Sequence, residues 1–115
     1  MTGAGPRDGA RLELILELIE HIERRLEDTT LARFAQDRDE VDLTAYRLAA
    51  IGEATNRLSG ELKQRHADIP WDAIYGMRNI IAHEYGAVIP ERVWNVTGEP
   101  LAALADVCRR ELNTR

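Results

Sequence analysis

LELILELIEHIERRL, residues 12–26, is the stretch whose periodicity decides the fold. Leu12, Ile15, Ile19, Ile22 and Leu26 recur at alternating intervals of three and four, which places them on one face of an α-helix. Leu14, Leu16 and Leu18 widen the apolar surface well beyond one stripe. A helix greasy on more than one side needs more than one neighbour, so the segment predicts a helical bundle. It reads as a helix from about Asp8 to Asp28, with residues 1–8 as a disordered, Gly-rich tip.

Working outward, Thr29 and Thr30 offer an N-cap for a short helical piece around Leu31 to Ala35, followed by a charged connection from Gln36 to Glu40. The next long helix is expected from Val41 or Asp42 to Ser59, stopped by Gly60. It turns Ala45, Leu48, Ile51, Gly52, Thr55 and Leu58 toward its partners. A glycine inside a helix costs about 0.5–1 kcal/mol relative to alanine, so Gly52 predicts a close helix crossing with Glu53 beside it. Glu61 to His66 forms a further turn. Ile69-Pro70 breaks the chain and suits a helix start, and Trp71, Ile74, Met77 and Ile81 then give the third long helix its core face. A last helix from Glu91 to about Leu112 buries Val93, Trp94, Val96 or Thr97, Leu101, Leu104, Val107 and Cys108, with Pro100 kinking or interrupting it. No segment alternates as an exposed sheet face would. The expectation is an all-α, up-and-down bundle of four to five helices, one domain over residues 1–115.

Composition narrows the function classes. A chain of 115 residues is large enough for one core and marginal alone, so oligomerisation is expected. The formal charge of −5 argues against a surface made for wrapping duplex nucleic acid or coating an anionic membrane. Any polyanion must meet a local patch. All the basic residues but Lys63 are arginine, the better fork for bidentate phosphate contacts. The single Cys108 permits no intrachain disulfide, and no CxxC or HExxH spacing offers metal ligands. No apolar run approaches the roughly 20 residues of a membrane span, and the start MTGAGPRDG lacks a signal-peptide core. These features predict a cytoplasmic protein with neither metal nor cofactor.

Polar chemistry concentrates in RNIIAHEY, residues 78–85. On a helix, Asp72, Asn79 and His83 share one polar strip, with Asn79 and His83 an i, i+4 pair. Arg78 and His83 are five apart and diverge by about 140° on an ideal helix, so spacing alone does not make them one site. Taken locally, His83 reads as a histidine held by the helix C-terminus, Arg78 as a salt bridge to Glu53 or Asp72, and Tyr85 as a half-buried cap. His21 and His66, among charged residues, read as solvated.

The string IPWDAIYGMRNIIAHEYG (69–86), with LAAIGEATNRLS (48–59) before it and VIPERVWNV (88–96) after it, resembles the HepT-like branch of the HEPN superfamily over nearly the whole chain. Arg-Asn-x-x-x-His-x-Tyr following Ile-Pro-Trp and a Gly-Met pair is a specific arrangement. The resemblance implies a HEPN-type helical bundle, a two-fold homodimer, and a metal-independent endoribonuclease toxin of a type VII-like toxin-antitoxin system. Its partner would be a small MntA-like nucleotidyltransferase antitoxin. Carried over by position, Arg78 and His83 match the catalytic pair, Asn79 the supporting polar residue, and Tyr85 the tyrosine that receives AMP; Glu53, beside the Gly52 crossing, is expected as a second supporting residue. No motif position is substituted. RNA is the expected substrate and DNA, lacking the 2′-hydroxyl, should resist. The alternative is a non-catalytic HEPN partner whose Arg78/Asn79/His83 strip binds nucleotide or positions substrate for a nucleotidyltransferase.

Overall fold

The computed structural model describes residues 7–83 and 88–113, with the side chains of residue 77 and residues 79–83 outside that description. Seven helices follow one another among the described residues: α1 (Asp8–Leu26), α2 (Leu31–Gln36), α3 (Arg38–Asn56), α4 (Gly60–Arg65), α5 (Trp71–His83), α6 (Pro90–Val96) and α7 (Glu99–Asn113). The all-α expectation holds. Four long helices, α1, α3, α5 and α7, make the bundle, and three short ones turn the corners between them.

The stripe that opened the sequence is the core of α1: Leu12, Ile15 and Ile19 are fully buried and Ile22 and Leu26 nearly so. Leu16 and Leu18 pack partly against that core, whereas Leu14 stays 46% exposed. The helix thus has neighbours on two sides, α3 and α7. Helix α3 contributes Val41, Ala45, Leu48, Ile51 and Thr55 to the same core, and α7 contributes Leu101, Leu104, Val107 and Cys108. Phe34 of α2 fills the end of the bundle against Trp94 of α6, their rings 5.3 Å apart and tilted.

The helix ends depart from the sequence reading in ways that follow from capping. The charged connection at Gln36–Glu40 shrinks to Asp37, because its Oδ1 accepts from the Glu40 N–H at 3.2 Å and starts α3 three residues early. Asp39 and Glu40 then sit in the first turn, where the helix dipole favours acids. Gly60 does not stop α3. The helix ends at Asn56, and Ser59, extended and accepting from the Leu62 N–H through Oγ at 3.3 Å, makes Gly60 the first residue of α4. The expected last helix is two: it breaks at Thr97-Gly98, with Thr97 Oγ1 donating to the Trp94 carbonyl, and Pro100 falls in the first turn of α7 where its missing N–H costs nothing.

Two polar clusters tie distant elements together. Asp8, read from the sequence both as the end of the tip and as the start of the helix, begins α1 and is buried, and accepts from the Ser59 N–H at 2.9 Å and the Ser59 hydroxyl at 2.7 Å. The start of α1 thereby holds the α3–α4 corner. His66 is likewise not solvated. Its Nε2 lies 2.7 Å from Glu111 Oε2 at the end of α7, and Arg65 donates to the same carboxylate at 2.8 Å. The Arg65 hydrogen bond, with that from His66, holds the Glu111 carboxyl below the usual carboxylate range against the opposing cost of burial. His21, by contrast, keeps a side chain 41% exposed beside Glu17.

Candidate active site

Helix α5 is placed by the residues around it. Its first residue, Trp71, donates from Nε1 to the His66 carbonyl at 3.0 Å and the Lys63 carbonyl at 3.2 Å, which satisfies the end of α4 and fixes where α5 begins. Ile74 is buried against the core, while Asp72 is exposed. Helix α5 then crosses α3 at Gly52. A Cβ built there would lie 3.0 Å from the Ile74 carbonyl oxygen and 3.6 Å from both the Tyr75 carbonyl and Arg78 Cβ. The close crossing expected at Gly52 is present, and Arg78 is at it.

That proximity brings Glu53 to Arg78. Glu53 Oε1 lies 3.3 Å from Arg78 Nε and Oε2 lies 3.4 Å from Arg57 Nε, so one carboxylate serves two arginines. Among the described residues the carboxylate that pairs with Arg78 is Glu53, and not Asp72. The ion pair is Coulombic without a directed hydrogen bond: Arg78 Nε is buried and makes none among the described residues. With the two side chains 34% and 42% exposed, such a pair contributes little to stability, about 0–1 kcal/mol. Local charge over Glu53, Arg57 and Arg78 remains positive by one.

Tyr75 is the residue that sequence reasoning missed. Arg78 Nη2 donates to the Tyr75 hydroxyl at 3.0 Å, and Arg78 Cζ lies 5.1 Å from the centre of the Tyr75 ring. The two are i, i+3 on α5, adjacent on any helix. The spacing carries that signal, although Tyr75 lies outside the Arg-to-Tyr motif.

Asn79 and His83 both lie on α5, with His83 its last residue. Their side chains, like those of Met77 and Ile81, fall outside the described residues, and so does Tyr85. The structure therefore brings together Arg78 and Glu53 of the expected site and adds Tyr75. Cys108 is no rival nucleophile: burial pushes its thiol up to about 12, far from the thiolate that reactivity requires. Among the described residues no group of histidine, cysteine, aspartate and glutamate is arranged to hold a metal ion, and no helix is long and apolar enough to cross a membrane.

The described residues form an all-helical bundle of the HEPN type, with Arg78 beside the α3–α5 crossing and His83 as the last residue of α5. The family model described as ribonuclease HepT-like matches residues 15–111, and the chain belongs to that family. A protein of Caldanaerobacter subterraneus subsp. tengcongensis, provisionally named an RNase, is 32% identical over 83 residues, covering 72% of this chain and 74% of its own. A protein of Thermococcus cleftensis, provisionally named ribonuclease HepT, is 30% identical over 93 residues, covering 81% and 84%. No solved structure matches the chain significantly.

Proposed function

We propose that the chain is a metal-independent endoribonuclease, the toxin of a toxin-antitoxin pair, acting through Arg78 and His83 at the axis of a two-fold dimer. The observation that carries this reading is that the ribonuclease HepT-like match spans the whole Arg78-to-Tyr85 motif, with every motif residue intact. Arg78, held by Glu53 and Tyr75 at the α3–α5 crossing, is suited to be the fixed cation of such a site.

Cleavage of RNA without metal needs a base to take the ribose 2′-hydroxyl proton while that oxygen attacks phosphorus. It also needs an acid to protonate the 5′-oxygen as its bond to phosphorus breaks, and cations on the phosphorane between. One histidine does not supply both protonation states at once. Two copies of His83 at one axis do, with substrate binding making one imidazole the base and the other the acid. The products are a 2′,3′-cyclic phosphate and a 5′-hydroxyl. Asn79, next to Arg78, supports the phosphate. A nucleotidyltransferase antitoxin silences the enzyme by joining the Tyr85 oxygen to the α-phosphorus of ATP with release of pyrophosphate. This places charge and bulk two residues from His83.

The test is to incubate the purified chain with single-stranded RNA in excess chelator, beside the same oligonucleotide in deoxyribose form. Cleavage of RNA alone, leaving cyclic phosphate ends, is expected. Equal cleavage of DNA, or activity lost with the chelator and restored by a divalent ion, would overturn the mechanism.

A further inference from the structure

We infer that Tyr75 is a positioning residue for Arg78, one that orients the guanidinium toward the scissile phosphate. The inference rests on the reading of Arg78 as a phosphate-binding cation, and goes beyond the Arg78, Asn79, His83 and Tyr85 set of the motif. Three contacts define the guanidinium. Glu53 of α3 faces its Nε edge at 3.3 Å, the Tyr75 hydroxyl accepts from Nη2 at 3.0 Å, and the Tyr75 ring lies 5.1 Å from Cζ.

The Tyr75 contacts differ in kind from that of Glu53. A carboxylate orients an arginine while cancelling its charge, and Glu53 already divides its charge between Arg78 and Arg57. An uncharged phenol accepts a hydrogen bond and presents a ring face to the cation, so it fixes the guanidinium and leaves the positive charge for an anion. Tyr75 sits one helical turn before Arg78 on the same rigid helix, so its aim is set by α5 itself. Arginine has a long, rotamer-rich chain, and fixing it beforehand removes an ordering cost from the transition state, where charge builds on the phosphorane.

The experiment measures cleavage of a fluorophore-quencher single-stranded RNA of mixed sequence by the full chain, for Tyr75→Phe, Tyr75→Leu, Arg78→Lys and the double variant Tyr75→Phe/Arg78→Lys. Tyr75→Phe keeps the ring and loses the acceptor. It should lower kcat about fivefold, the worth of one net hydrogen bond, with KM and thermal midpoint near wild type. Tyr75→Leu loses both contacts and should lose about 30-fold. In the Arg78→Lys background, Tyr75→Phe should cost nothing further, because the fork it orients is gone. Wild-type rates in both Tyr75 variants, or the same fivefold loss in the Arg78→Lys background, would overturn the inference and leave the catalytic reading of Arg78 standing. A wild-type rate for Arg78→Lys would instead remove the catalytic reading, and the inference with it.

Discussion

Arg78 illustrates how one residue carries both a local and a functional reading. Locally it is half of a salt bridge to Glu53, one of the two partners its spacing suggested. The i, i+3 spacing on α5 carries the Tyr75 phenol as well. What the sequence of α5 alone could not give is the burial of the Arg78 Nε, which depends on how α5 lies on α3. Tyr85 is the residue at which the proposed regulation is read most directly. Tyr85→Phe removes only the phenolic oxygen, so cleavage should persist within about twofold while the AMP acceptor is lost. Intact mass after incubation with the cognate nucleotidyltransferase and ATP should rise for the wild type by one or more AMP units and stay constant for Tyr85→Phe. Equal mass gain in both would move the acceptor elsewhere.

At the scale of elements, long-range packing was legible wherever a helix kept a regular apolar stripe. The buried faces of α1, α3 and α7 are those the periodicity marked, and the Gly52 crossing was marked by a residue otherwise out of place in a helix interior. Helix ends were less legible because a cap and a stop use the same residue types. Asp37 and Ser59 each initiate a helix in which the surrounding charge or the following glycine suggested a connection. Gly52→Ala tests the crossing. Alanine gains about 0.5–1 kcal/mol of helix propensity. Its Cβ, though, meets a carbonyl oxygen of α5 at 3.0 Å, and overpacking of that kind costs about 1–3 kcal/mol. We expect a net loss of stability of about 1 kcal/mol, a thermal midpoint lower by several degrees, and reduced cleavage because α5 moves at Arg78. A raised midpoint with full activity would mean that the crossing yields without consequence.

At the scale of the whole molecule, contacts between residues far apart in sequence were the hardest to foresee. His66 and Arg65 on Glu111, and Asp8 on Ser59, join elements whose local sequences give no sign of one another. The exposed Leu14 of α1, and Tyr46 of α3 at 71% exposure, are apolar surface left over by the bundle. They suit the proposed two-fold dimer, in which the one catalytic centre on the axis draws a histidine and an arginine from each copy. The most direct measurement of that account is the RNA cleavage rate of His83→Ala, taken on protein whose circular dichroism and solution mass match the wild type. Loss of an acid-base residue predicts a fall of about 100-fold or more. A folded His83→Ala protein of unchanged mass that cleaves RNA at the wild-type rate would contradict the account.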